Sequence, residues 1–598
     1  MLMKDYKIRD LKKLVETRFL PFVRRPSRYI GGEVNQVQKN LDECDLTFAL
    51  CFPDTYEIGM SHTGIAIVYN ILNQIDAVAA ERVFSPWPDA EEVLRSKNIP
   101  LFSLESKAAV SGFDVIGFSL TNELCYTNAL NVLDLAGLEI RSSDRDEDDP
   151  IIIGAAGMAN CAEPVAPFFD MFLLGEAEEA VVELTEYLIS CKKGRVTKAE
   201  TLLSAAKKFD FIYVPSLYKF GYEQSQIKSF TPVRDDIPTR FENAVVHDLD
   251  SSMVPLKPIV PFAQAVHERI SVEVMRGCPG RCRFCQASFC RRPLRYRSPG
   301  RIFEIAKAAY HATGFDTVSL LSLSTADYPY LEEVVEKLNE YFKSLRVGVS
   351  LPSLRVDKQL KLLPRLAANV RKSGLTIAVE AASEKLRKII NKPISNENLF
   401  AAVEEAYRQG FSKVKLYFMV GFPSETQQDI ASIVDLAQEL GRLGKKVSGR
   451  VAHITAAVSW FVPKPHTPFA WLGQCSSEYF ENAKKTILDR KRQLNAKFIQ
   501  FKFHDIERSV IESAIGRGDR RLAEVIEYAF KNGAKFDLWN EYFDFEIWQK
   551  AFTSFGLDIK DLAQKNFRQE QILPWQHLGG PKKDYLLDHF NDAMAAGE

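Results

Sequence analysis

The chain has 598 residues, 46% hydrophobic and 26% charged, which excludes a disordered or fibrous protein. At roughly 150 residues per domain, the length predicts about three to five domains. Lys and Arg total 77 against 78 Asp and Glu, so the net charge of −1 excludes the global positive excess of a broad polyanion binder. No apolar run reaches the roughly 18 residues of a membrane span. The longest candidate, 151–160, is short and rich in Gly and Ala. The opening MLMKDYKIRDLKK is charged throughout and lacks the apolar core of a signal peptide, so the expected location is cytoplasmic, with no membrane partner.

In chain order, a leader segment over 1–24 precedes an α/β pattern over 25–196. Strands are predicted at 46–52, 114–120, 150–154 and 170–174, and helices at 64–75 and 122–135. A further helix starts in the acidic GEAEEAVVELTEYL, as the helix dipole favours. Repeated strand, Gly-containing loop and helix predict a doubly wound, Rossmann-like sheet with a ligand crevice at its switch point. Residues 197–262 hold several prolines and little periodicity, which predicts a connector with some β structure.

Ten cysteines are too few for a disulfide scaffold of this size. Six are scattered: Cys44, Cys51, Cys125, Cys161, Cys191 and Cys475. Four cluster in SVEVMRGCPGRCRFCQASFC, where Cys278, Cys282 and Cys285 read C-x3-C-x2-C and Cys290 follows. Inert thiols and half of a zinc site are the plain alternatives. A structural zinc site draws on four closed ligands, usually two CxxC pairs, and this chain has no second pair. Three thiolates on a four-iron cluster leave one iron open to substrate or cofactor. Cys290 reads as a bystander.

From 263 to 500 strands and helices alternate. Strands are predicted at 270–275, 316–321, 346–351, 375–379, 414–420 and 450–460. Helices fall at 299–314, 330–345, 396–408, 427–443 and 478–494. About six βα units suit a parallel barrel, whose ligands sit at the C-terminal strand ends. Residues 276–301 hold eight Arg and no Asp or Glu. A solvated loop is one reading, and a role beside anions is the preferred one. The tail, 501–598, reads as mixed but mostly helical. Its Trp539, Trp548 and Trp575 are expected to form a satellite core, and RGDRR reads as a solvated helix start or a substrate contact.

C-x3-C-x-aromatic-C, with Phe284 in the aromatic place, resembles the signature of the radical S-adenosylmethionine (radical SAM) enzymes. The resemblance implies a [4Fe-4S] cluster on Cys278, Cys282 and Cys285 within a partial (β/α)6 barrel, whose open iron chelates SAM. It also implies SAM contacts. Ser322 and Ser324 (with Thr325) match a polar motif after the second strand, and Glu380 matches a carboxylate after the fourth. Arg387 or Lys392 would pair with the SAM carboxylate, and the backbone at Gly421 would approach adenine. Ser322 and Ser324 also read as plain turn residues, and Gly421-Phe422-Pro423 is a turn under either reading.

IGFSLTNELCYTNALN, GAAGMANCAEPVAPFFD and GEAEEAV, with SWFVPKPHTPFAW and ILPW, resemble the cobalamin-binding-domain class of radical SAM proteins, in particular a largely uncharacterised family of it. The cobalt-ligating D-x-H-x-x-G pattern is not met by PDTYEIGMSHTG. Either cobalamin binds without a protein His ligand, or the domain no longer binds it; His62 reads as a helix-start or core residue. The resemblance implies 5′-deoxyadenosyl radical chemistry fed by a low-potential electron donor of the flavodoxin or ferredoxin type. With cobalamin the expected outcome is C-methylation of an RNA or other phosphate-bearing substrate. Without it, another radical modification such as methylthiolation or rearrangement is the alternative, and a non-catalytic iron–sulfur or corrinoid sensor is another.

Overall fold

The computed structural model describes residues 11–224, 226–350 and 375–597. The run LTFALCF forms β1 (Leu46–Phe52), buried at every residue because both faces of its sheet are covered. It pairs in parallel with β2 (Val78–Phe84) on one side and β3 (Val115–Ser119) on the other. β4 (Ile151–Ala155) and β5 (Met171–Leu173) continue in parallel, and β6 (Ile212–Tyr213) ends the sheet antiparallel. The order β2-β1-β3-β4-β5-β6 is the expected doubly wound sheet, with its switch between β1 and β3.

The sequence reading missed β2 because its centre is Glu81-Arg82. Both are buried and both are compensated: the Arg82 guanidinium meets Glu105 at 2.5 Å and Glu33 at 2.9 Å, and Ser106 donates to Glu81 at 2.7 Å. The segment expected as a connector supplies β6 and the helix Lys198–Lys208, so the N-terminal domain runs past 196. A hairpin of β7 (Tyr218–Glu223) and β8 (Gln226–Pro232) follows.

The second α/β unit opens with β9 (Ile270–Glu273). β10 (Met275–Arg276) and β11 (Arg295–Tyr296) then form a short antiparallel pair that brackets the thiol loop. β12 (Thr317–Leu321) pairs in parallel with β9 and with β13 (Gly348–Ser350). The last residue of the strand predicted over 346–351 lies outside the described residues, as do residues 1–10 of the leader. β14 (Leu375–Glu380), β15 (Lys413–Val420), β16 (His453–Trp460) and β17 (Ile499–Phe503) form a four-stranded parallel sheet. β17 is a seventh strand astride the expected boundary at 500.

Alternation sets the sheet's two faces. Val414, Leu416, Phe418 and Val420 are buried in one core with residues of the helices Asn396–Arg408 and Gln427–Ser448, while Lys415, Tyr417 and Met419 point to the inner face. The helix Pro299–Thr313 starts at Ser298, whose hydroxyl accepts from Arg301 N–H, and stops at Gly314 with φ 70°.

The tail is mostly helical, as expected. Its tryptophans do not meet: Trp539 packs on Trp87, Trp548 sits in the main core bonded to Asp537, and Trp575 packs on Phe567. RGDRR is not a solvated start either. Arg520 reaches the buried Glu163 at 2.9 Å and Tyr213 Oη at 2.7 Å, and Arg517 donates to the carbonyls of Ala563 and Lys565. This run fastens the tail to the N-terminal domain.

Candidate functional site

The C-terminal ends of β1, β3, β4 and β5 face the thiol loop across a cavity of about 690 Å3. Its lining is mainly apolar and reaches down between the sheet and the helices Thr63–Gln74 and Ala177–Lys193. Gly117 and Gly157 line it without a side chain, and a Cβ on Gly157 would meet nothing within 4 Å. This is where the switch-point rule places a ligand.

His62 lines the same cavity. Its Nδ1 caps the helix Thr63–Gln74 by accepting from Ile65 N–H at 3.3 Å, so the neutral ring carries its proton on Nε2. Burial, with Arg291 beside it, pulls its pKa down to about 4. A protonated Nε2 is a donor and has no lone pair for a metal.

The thiol loop is pinned from several sides. Gly277 takes φ 86°, where a Cβ would strike Arg291 O at 2.7 Å. Arg292 donates to the carbonyls of Cys278 and Gly280, and Arg283 to those of Lys388 and Ile389. A Cβ on Gly280 would lie 3.4 Å from Cys278 Sγ and 4.0 Å from Cys282 Sγ, so both sulfurs flank this bare position. Burial pushes the Cys282 thiol up to about 12, against the opposing pull of Lys392. Among the described residues no three or more His, Cys, Asp or Glu groups gather to hold a single ion. A cubane spreads its thiolates over different irons, so three thiols on one open loop fit that donor set. Cys290 is half-buried like the other three thiols of this segment, and burial raises it to about 12.

Phe284 packs on Phe422 at 5.8 Å between ring centroids, with Phe590 and Met594 of the C-terminal helix in the same cluster. Glu380 ends β14 at a register shift, with φ 66°, and pairs with Lys392 at 2.9 Å. Cys282 feels both charges, so this pair stands beside the thiols. Ser322 lines the cavity and shares a hydrogen bond with Thr325 at 2.9 Å.

Two expectations need correction. Ser324 is buried and donates to Asp327 at 2.7 Å, which makes it a turn residue. Arg387 is 1% exposed, and its guanidinium is used up by the carbonyls of Ala381, Ala382 and Ile394 and by Asn396 Oδ1. It holds the turn after β14 with four of its five N–H donors, which leaves no pair of donors to grip a carboxylate.

The arginines of 276–301 mostly build structure. Arg276 meets Glu176, Glu178 and Glu273, Arg295 meets Glu176, and Arg297 donates to Glu273 O and Ser252. Arg291 and Arg276 are the two that line the cavity.

Gly421 has φ 107°, and its N–H donates to Glu425 at 2.7 Å. A Cβ there would meet the Phe480 ring at 2.9 Å, so glycine is required for close packing of this turn. Burial raises Glu425 to about 7, although Tyr479 and Gly421 both donate to it.

The sequence reading missed Glu176 as a joint between domains. Its GEAEEAV context explains the helix start well enough to hide a second role.

Residues 64–215 match the family described as radical SAM proteins, N-terminal, and residues 272–437 match the radical SAM superfamily. An uncharacterized protein of Methanocaldococcus jannaschii is 27% identical over 80% of this chain and 90% of its own length. The ribosomal protein uS12 methylthiotransferase RimO of Desulfotalea psychrophila is 28% identical over 33% of this chain and 43% of its own length. Among solved structures, the radical S-adenosylmethionine methyltransferase TsrM of Kitasatospora setae, with cobalamin and a [4Fe-4S] cluster bound, shares the fold. Its TM-score is 0.50 at 10% identity, covering 85% of this chain and 99% of that one. Among the described residues no helix is long and apolar enough to cross a membrane.

Proposed function

Because this chain belongs to the radical SAM superfamily, we propose that it is a corrinoid-assisted radical SAM enzyme that alkylates or otherwise modifies an unactivated carbon. The observation that carries the reading is the cavity at the β1/β3 switch, whose lining includes Gly277, Ala287 and Arg291 on either side of the three thiols. A planar macrocycle with a nucleotide tail fits such a space, wide at the strand ends and apolar where it runs between sheet and helices.

Cys278, Cys282 and Cys285 would hold a [4Fe-4S] cluster, and the cavity would hold cobalamin. When bound, the cluster supplies the electron that breaks the sulfonium bond of SAM, and the corrinoid supplies a methyl carrier.

The chain's own part is placement and exclusion. Glu380 and Lys392, paired beside the thiols, leave one carboxylate oxygen and two ammonium donors for the amino-acid part of SAM. Ser322 stands on the cavity side of the same region. Phe284, Phe422 and the C-terminal helix keep water from the loop's outer side. Arg292 and Arg283 fix the loop backbone, so the thiols are set before any ligand arrives. Electrons would come from a low-potential flavodoxin- or ferredoxin-type donor.

The test is anaerobic purification, reconstitution with iron, sulfide and hydroxocobalamin, then assay of 5′-deoxyadenosine after dithionite and SAM. About four irons per chain, retained corrinoid and deoxyadenosine formation are expected. Iron and cleavage without corrinoid would leave a radical SAM enzyme of another outcome, a reading favoured by the methylthiotransferase relatives. Zinc in place of iron, or no cleavage, would overturn the proposal.

A further inference from the structure

The inner face of the β14–β17 sheet carries cations that the site described above does not use. Register places Lys415 beside Thr455, and one row nearer the C-terminal ends it places Tyr417 beside Ala457 and Ala457 beside Lys502. All of these alternate with the buried residues that pack on the helices, so they share the opposite face. Lys415 is half-buried and donates to Tyr417 Oη at 2.6 Å, which leaves the phenol proton free to be donated onward. Lys502 is exposed on that face. Among the described residues neither lysine makes an ion pair. The one carboxylate on the face, Glu380, is already matched by Lys392.

Among the described residues, two like charges are thus brought onto one sheet face with hydroxyl donors between them and no carboxylate paired to either. Their strands are two positions apart, about 10 Å across the sheet, a gap that two extended lysine side chains close from either side. The alanine between them leaves the space open. Such a surface is complementary to an oxyanion.

We propose that the barrel lumen takes a small-molecule substrate with a phosphate or carboxylate tail, held by Lys415, Tyr417 and Lys502. This rests on the radical SAM reading, which sets the reacting end at the Glu380 level beside the thiols. Lys415 pairs with Thr376, four residues below Glu380 on β14, so the anion and the reacting carbon lie about 13 Å apart along the strand. That is the reach of a small phosphorylated or carboxylated metabolite.

The test is NMR line broadening of inorganic phosphate (31P) and of acetate (1H) by the full-length reconstituted protein at low ionic strength. Saturable broadening of phosphate is expected for a phosphorylated substrate, and of acetate for a carboxylated one. Lys415→Gln and Lys502→Gln are each expected to weaken binding about tenfold or more, while Lys502→Arg retains it. No saturable binding of either anion, or binding unchanged in both Gln variants, overturns the proposal. Lys502 is exposed, so Lys502→Gln carries the test if Lys415→Gln does not fold. Deoxyadenosine formation by the unaltered protein separates the two readings. Cleavage without anion binding overturns the lumen site alone, and anion binding without cleavage overturns the radical SAM reading and leaves the anion site.

Discussion

Arg295 grips Glu176 with both ends of its guanidinium, Nη1 to Oε2 and Nη2 to Oε1, each at 2.7 Å. Glu176 lies in the turn after β5 of the first sheet, and Arg295 lies just beyond the thiol loop of the second unit. The contact therefore joins the two units across the mouth of the cavity. Burial opposes the charge on Glu176, but Arg295 and Arg276 hold its pKa below the usual carboxylate value. Removing Glu176 leaves the buried Arg295 guanidinium without its anion, while Arg276 keeps Glu178 and Glu273. Glu176→Gln is expected to cost about 3 kcal/mol of stability and to reduce the iron retained after reconstitution. Urea unfolding and iron analysis check this, and unchanged values for both would show the joint to be dispensable.

Glu163 gives a pH dependence. Burial alone would raise its pKa, but Arg520 and His577 pull it down to about 2 from an ordinary 4.5. A depressed carboxylate contributes stability that is fully present above about 4.5 and is lost as pH falls toward about 2. The contribution is of order 3 kcal/mol. Glu163→Gln is expected to lower stability at neutral pH and to flatten the fall between pH 4.5 and 2. Denaturant unfolding at neutral and acid pH checks the slope; parallel curves for the two proteins would contradict it.

The thiols divide by position. Alanine at Cys278, Cys282 or Cys285 is expected to abolish the iron chromophore and deoxyadenosine formation. Cys290→Ala is expected to keep both, because the C-x3-C-x2-C set is complete without it. Loss of iron on changing Cys290 alone would make it a ligand and refute the three-thiol assignment.

Gly157 tests the cavity without touching the core. A leucine there would grow into open space. Hydroxocobalamin retention is expected to fall at least about tenfold, with the Tm of the ligand-free protein nearly unchanged. Full retention measured on a desalting column would place the corrinoid elsewhere.

His62 should leave its mark by what it does not do. Its Nδ1 serves the helix cap, so Co(II) corrinoid bound here is expected to show no nitrogen hyperfine coupling from the protein by electron paramagnetic resonance. His62→Ala is expected to leave that spectrum unchanged and to cost about 1 kcal/mol through the lost cap. Nitrogen coupling that disappears in His62→Ala would refute this.

Much of the architecture was legible because apolar spacing carries it. β1 and the helix Asn396–Arg408 fall where their patterns put them. β2 and β17 were hidden for opposite reasons. β2 hides buried charges that are compensated only in three dimensions, and β17 alternates Gln500 and Lys502 with bulky apolar residues at a point where a tail seemed to begin. The thiol loop declared itself by spacing. Arg387 and the other arginines did not, because a guanidinium that props up carbonyls reads in sequence like one that waits for a ligand. Lys415 and Lys502 could be paired only once register had set their strands side by side.

The helix Lys583–Ala595 lies against the aromatic cover of the thiol loop, yet it is synthesised long after Cys285. A ribosome that has finished the barrel has therefore not yet delivered its lid. During that interval Phe284 and Phe422 lack the packing that Phe590 and Met594 supply. Any group that the three thiols hold would meet a less covered loop until residues 583–595 have folded against it.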